Sequence, residues 1–190
     1  MNTDILRNEL MWLKSIGCSI IRKKSGIEVK SIYTSSTDFN FYIPINGEQQ
    51  ENVGCYRVPD SVCTQISWLK DMDIEKSHDI NYIYFGNKGK TRSFGYNIIE
   101  VDFRTWNSAG ELRREKVPFA HYFIVLVEGT QIGRFSTIEE KIIGIYDYEI
   151  KEEYRNKGIG SFILNSICNK YDTIIFIQTW SENLAAIKCL

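Results

Sequence analysis

The chain has 190 residues, with 23 Lys and Arg against 24 Asp and Glu, 43% hydrophobic residues and 25% charged ones. Such a composition makes a buried core and excludes a disordered chain, and a net charge of −1 leaves no basic excess for a broad nucleic-acid surface. The five cysteines (Cys18, Cys55, Cys63, Cys168 and Cys189) are odd in number and form no Cys-x-x-Cys pair, so reduced thiols in a cytoplasmic protein fit better than a disulfide framework or a thiolate zinc site.

Charges interrupt the apolar residues of the first segment, so it does not read as a secretory leader. No run approaches the roughly 18 apolar residues of a membrane span. Residues 4–16 place Ile5, Leu6, Leu10, Leu13 and Ile16 near helical spacing, with Asp4 as N-cap or first-turn acid and Gly17 as the stop. Two strands follow around Lys24-Ser25-Gly26, then a strand over 38–46 with Phe39, Phe41 and Ile43 on one face. Residues 47–60 suit a loop, 62–72 a helix, 79–86 a strand and 86–89 a turn.

The second half is clearer. A strand is expected over 96–103, then a polar stretch that forms a broken helix or a covering loop. Strands over 119–127, 131–138 and 141–150, joined by Glu128-Gly129 and Glu139-Glu140, predict an antiparallel meander. A helix over 158–170, a strand over 173–180 and the start of a last helix complete an α+β chain with a mixed central sheet and flanking helices. The glycines at 86, 89 and 95 suggest an N-terminal α/β region over 1–95 and a second domain over 96–190.

The sharpest signal is the strand-to-helix junction Ile150-Lys151-Glu152-Glu153-Tyr154-Arg155-Asn156-Lys157-Gly158-Ile159-Gly160. Glycines let a ligand approach the backbone. The first-turn N–H groups lack intrahelical acceptors and suit a phosphate or pyrophosphate, which Arg155 and Lys157 would favour further. The spacing matches neither the Walker loop nor the dinucleotide fingerprint. Taken alone, an ordinary turn with solvated basic residues explains it as well.

This segment resembles the signature of the GCN5-related N-acetyltransferases, Arg/Gln-x-x-Gly-x-Gly/Ala after a strand, here Arg155-x-x-Gly158-x-Gly160. Glu153, Tyr154, Lys157 and Ile159 match a fuller form, whereas Glu152 and Asn156 replace its usual Pro and Gly. The hairpin over 119–138, the strand over 173–180 and Asn183-x-x-Ala186-Ile187-Lys188 match the family's elements in order. The resemblance covers roughly 119–190 and is poor before that, where 1–95 reads either as a degenerate half-copy of the same fold or as a wall of the acceptor site. It implies a mixed sheet of that family and acetyl-CoA as donor. The backbone from Arg155 through Asn156, Lys157, Gly158 and Ile159 to Gly160 would hold the pyrophosphate. Ile150 and its neighbours would pair with the pantetheine arm, in a V between the strands ending at Ile150 and Gln178, and Asn183 would contact that arm or orient the pocket wall. The acceptor, a primary amine of a small molecule or peptide, would arrive from the other side. The alternative is an acyl-CoA-binding or interaction protein that keeps the fold without catalysis.

An amine must lose a proton before it attacks, and a carboxylate can take it. Glu149 is the preferred base, with Asp147 second on the same strand face, and Tyr146, Tyr148 and Ile150 opposite, unless a bulge inverts the alternation. The plainer reading of Glu149 is a solvated strand carboxylate or one paired with Arg134. His121 reads as a packed or surface residue, His78 as a loop cap, and no residue set reads as a metal site. Leu190 stands where the family often has a tyrosine, and its last two strands have no counterpart. The chain is therefore expected to be part of a longer protein, or to have its sheet completed by another chain or by the N-terminal region. An open edge along 173–180 would favour a homodimer.

Overall fold

A computed structural model of the chain describes residues 3–45, 48–50, 54–58, 80–85, 95–108 and 115–189. The expected helix over 62–72, the turn at 86–89, His78 and Leu190 lie outside the described residues. The chain forms two compact units, Met1–Ser77 and His78–Leu190.

The first unit begins with α1 (Thr3–Ser15), which carries Asp4 in its first turn and buries Ile5 and Leu13. Gly17 ends it with φ +83. Strands β1 (Cys18–Arg22), β2 (Gly26–Ser31) and β3 (Phe41–Pro44) form an antiparallel sheet in that order. The third strand is shorter than the expected 38–46, and Tyr42 is buried along with Phe41 and Ile43. Gly26 is needed where it stands, because a Cβ there would come within 2.3 Å of the Ile43 carbonyl oxygen. A buried charge pair closes this unit. Arg57 Nη1 donates to Glu9 Oε1 at 2.6 Å and Nη2 to the Asp38 carbonyl at 2.7 Å. Its guanidinium lies 3.8 Å from the Phe41 ring centroid, so both faces of the charge are compensated.

The second unit is a six-stranded sheet, made of β4 (Ile80–Phe85), β5 (Tyr96–Val101), β6 (Ala120–Val127), β7 (Thr130–Glu139), β8 (Ile143–Ile150) and β9 (Ile175–Trp180). The order is β4-β9-β8-β7-β6-β5, antiparallel except for β8 beside β9. The meander turns at Glu128-Gly129, with φ +48 and +79, the left-handed pair that suits a tight hairpin. Short α2 (Phe103–Ser108) precedes β6, α3 (Ile159–Lys170) crosses between β8 and β9, and α4 (Leu184–Cys189) follows β9.

Strand β4 overturns the expected open edge. It pairs with β9 from Ile80↔Trp180 to Phe85↔Ile175, so the outer hydrogen-bonding row of β9 is taken by a segment from earlier in the chain. The edge expected to favour a homodimer is thus covered by β4.

One face of the sheet packs on α3. Phe123, Val125, Phe135, Ile143, Ile145 and Ile175 meet Ile159, Ile163, Leu164 and Ile167 in a buried cluster. Phe123 and Phe135 stack with centroids 4.7 Å apart. The opposite face carries Tyr122 against Phe103 and Trp106 of α2.

Candidate functional site

The site grows from one irregularity. In β8, regular pairing with β7 holds from Ile143↔Glu139 to Tyr146↔Ser136 and resumes at Glu149↔Arg134. The two residues Asp147 and Tyr148 thus face the single residue Phe135, a β-bulge, and Asp147 takes the left-handed conformation with φ +52. Parallel pairing of β8 with β9 ends at Ile145↔Ile177, immediately before the bulge, although both strands continue. The strands therefore part, and backbone groups of β8 beyond Tyr146 face a gap instead of β9.

The bulge corrects the expected facing. Ile143 and Ile145 point to α3, and beyond the bulge Tyr148 and Ile150 pack against the same cluster. Tyr146 turns the other way, its ring edge-on to Phe176. Asp147 and Glu149 do share a face, the one away from α3. There Ser136 Oγ donates to Asp147 Oδ2 at 3.2 Å, and Arg134 Nε donates to Glu149 Oε2 at 2.9 Å. The plainer reading of Glu149 is thus realised: its side chain is 60% exposed and ion-paired, while that of Arg134 is only 11% exposed. The Arg134 guanidinium lies 5.0 Å from the centroid of the buried Trp106 ring.

Gly133 allows this closeness. A Cβ there would meet the Glu149 carbonyl oxygen at 2.6 Å. Local sequence reasoning gives no reason for Gly133, because its need arises from a strand 16 residues on. It missed Ser136, Trp106 and the stacking of Arg134 for the same reason.

After Ile150 the chain makes a single 3₁₀ turn, Glu152–Tyr154, and then Asn156 (φ +60) and Gly158 (φ +75) take left-handed conformations around Lys157. This turns the chain into α3, whose N-cap is Gly158 and carries no side-chain cap. Phe162 N donates to the Gly158 carbonyl at the start of α3, so the N–H groups of Ile159 and Gly160 come before the helical ladder and suit an anion. A Cβ at Gly158 would meet nothing within 4 Å, so its glycine is needed for conformation, and the approach to the loop is open. Arg155 Nε donates to the Ile150 carbonyl at 2.9 Å, and Lys157 Nζ lies 5.1 Å from the Tyr154 ring centroid. Both side chains remain at the exposed mouth of the loop. Tyr148 Oη donates to the Gly160 carbonyl at 2.8 Å and ties the bulge to the first turn of α3.

Asn183 sits at the end of β9 and caps α4, its Oδ1 accepting from Ala186 N at 3.1 Å. It is exposed, and the structure gives it a helix-capping role. His121 is remote from the gap. Its Nδ1 lies 2.6 Å from Glu100 Oε1 and its Nε2 3.4 Å from Glu139 Oε1, beside Lys170 at the far end of α3. The hydrogen bond from His121, with help from Lys170, holds the Glu100 carboxyl below its ordinary range. Among the described residues no three His, Cys, Asp or Glu side chains converge as a metal site, and no helix is long and apolar enough to cross a membrane.

A mixed sheet, split beside a bulged strand and followed by an uncapped, glycine-opened helix, leaves a gap between two strands and backbone N–H groups outside the helical ladder at the helix start. The comparisons agree with that architecture. The family model of the acetyltransferase (GNAT) family matches residues 92–190. The chain belongs to this family. The fold is similar to that of a GCN5-related N-acetyltransferase from Kribbella flavida, with a TM-score of 0.57 at 7% identity, covering 93% of this chain and 84% of that one. It is similar also to a functionally unknown conserved protein from Staphylococcus epidermidis, with 0.54 at 12% identity over 88% and 86%. A GCN5-related N-acetyltransferase-like protein from Streptococcus suis gives 0.51 at 10% identity over 98% and 90%. No curated protein sequence matches the chain. Strand β4 lies outside the segment that the family model matches, yet it completes the sheet.

Proposed function

We propose that the protein is an acetyl-CoA-dependent N-acetyltransferase acting on a primary amine of a small molecule or peptide. The observation that carries this reading is the parting of β8 from β9 after Ile145↔Ile177, directly ahead of the Asn156–Gly160 loop. The loop fits a pyrophosphate: its two left-handed residues and the first turn of α3 present backbone N–H groups, and Arg155 and Lys157 supply positive charge at the mouth. The backbone of β8 beyond Tyr146 fits an amide-bearing arm that pairs as a strand would. Acetyl-CoA, when bound, supplies an already activated thioester. The protein's task is then to align a neutral amine and accept its proton.

Asp147 is the better placed proton acceptor. It stands at the point of parting, half-buried, with one carboxylate oxygen steadied by Ser136. Glu149 lies further out on the same face and is held by Arg134. Asn183 shapes the far wall by fixing the start of α4.

Calorimetric titration with acetyl-CoA tests the reading. Saturable binding that weakens in Gly158→Val is expected, and no binding by the wild type would overturn it. In a CoA-release assay, Asp147→Asn should lower kcat/KM by about 10²–10⁴-fold with acetyl-CoA affinity retained, while Glu149→Gln has the smaller effect. Binding without turnover over a broad amine panel would instead identify a silent acyl-CoA-binding protein.

A further inference from the structure

The face of the sheet opposite α3 holds a cation whose hydrogen-bonding capacity is only partly used. Arg134 spends Nε on Glu149 Oε2 and lays its guanidinium plane on Trp106. Its side chain is 11% exposed, yet Nη1 and Nη2 meet no acceptor among the described residues. The terminal edge of the guanidinium therefore carries N–H donors aligned for a bidentate acceptor. The Trp106 indole Nε1 is likewise buried with no hydrogen-bond partner among the described residues. A buried group in this state is costly unless water or a ligand satisfies it.

Position makes the feature relevant to the acceptor. Arg134 and Ser136 lie two residues apart on one face of β7, about 7 Å along the strand, and Ser136 holds Asp147. A carboxylate on the Nη edge of Arg134 would thus place an amine a few atoms away within reach of Asp147. Glu149 keeps the guanidinium oriented through Nε without occupying that edge. A lysine would supply a point charge but not the planar fork.

We infer that Arg134 is a specificity residue that binds the carboxylate of the acceptor, so that the acceptor class is an amino acid and not a simple amine or polyamine. This rests on the acetyltransferase reading above and narrows it.

The test uses equilibrium binding of the transfer product, so it does not depend on turnover. A panel of N-acetylated α-amino acids with small, aromatic and basic side chains, and the matching carboxamides, is titrated into the protein by calorimetry, with and without saturating CoA. At least one carboxylate ligand is expected to bind tenfold or more tightly than its carboxamide. Arg134→Gln should erase that preference and Arg134→Lys should reduce it, while acetyl-CoA affinity is unchanged in both. Equal affinity for carboxylates and carboxamides in the wild type, or binding of neither, overturns the proposal without recourse to a variant that might misfold. Loss of acetyl-CoA binding in the wild type is a separate outcome that overturns the acetyltransferase reading instead.

Discussion

The two faces of the six-stranded sheet are built on opposite principles. Toward α3 the side chains are aliphatic and aromatic, interlocked and dry. Away from α3, at the same level, stand Arg134, Ser136, Asp147 and Glu149, joined by hydrogen bonds and a stacked indole. Residues 135 and 136 are neighbours in sequence and belong to different worlds, because strand side chains alternate. The bulge at Asp147 lets β8 serve both. Were the same residues to alternate without a bulge, Tyr148 and Ile150 would leave the core and Glu149 would enter it. The acid-bearing surface beside the gap is thus a by-product of a register shift that also keeps the core apolar.

Truncations on the α3 face should have the largest effect. Phe135→Ala removes a ring fully buried against Phe123 and should destabilise the protein by about 3–5 kcal/mol in urea unfolding. Its neighbour Ser136→Ala should cost only about 1 kcal/mol and act mainly on the orientation of Asp147. Equal costs for the two would break the contrast between the faces.

Gly133→Ala probes the contact that holds β8 to β7 at the bulge. The added Cβ would lie 2.6 Å from a backbone oxygen, which cannot rotate away. A loss of about 1–3 kcal/mol is expected, with reduced transfer activity, since Glu149 and Arg134 must shift together. Wild-type stability for this variant would mean that the two strands lie further apart than the structure shows.

Gly158→Val acts next to the core without touching it. Its Cβ has open space, so the penalty comes from a left-handed backbone and should be about 1–2 kcal/mol. Weaker acetyl-CoA binding should accompany it. A variant that is destabilised but binds normally would separate the glycine's conformational role from the ligand site.

The smallest effect belongs to the network at the far end of α3. Glu100 is held below its ordinary range by His121 and then Lys170. A carboxyl depressed on folding contributes stability above its unfolded value and loses it as pH falls through the folded value. The difference between wild type and Glu100→Gln should therefore be constant over the mildly acidic range and vanish in stronger acid. These groups are nearly half exposed, so it should not exceed about 0.5 kcal/mol. Thermal melts between pH 6 and about pH 2 measure it, with the unfolded carboxyl reference near the usual Glu range.

Local sequence determined most of the elements and the glycine loop ahead of α3. The alternation in 119–150 and the helical spacing of Ile159, Ile163 and Ile167 reflect burial along one strand or helix face, which a few consecutive residues record. The glycines around 158 mark backbone conformations that only certain residues adopt, so the loop is written in the residues themselves. The tertiary structure alone decided what depends on partners distant in the chain. That β4 covers β9 is a pairing across 90 or more residues, with no local mark on either strand. That Asp147 is the extra residue of a bulge follows from its register against Arg134 and Ser136, and an alternating pattern cannot reveal where the count slips. That Arg134 rests on Trp106 while its Nε donates to Glu149 arises only when β7, β8 and α2 are brought to one side of the sheet. Hydrogen bonds and packing between such segments are set by the three-dimensional register, while the one-dimensional pattern encodes only which face each residue prefers.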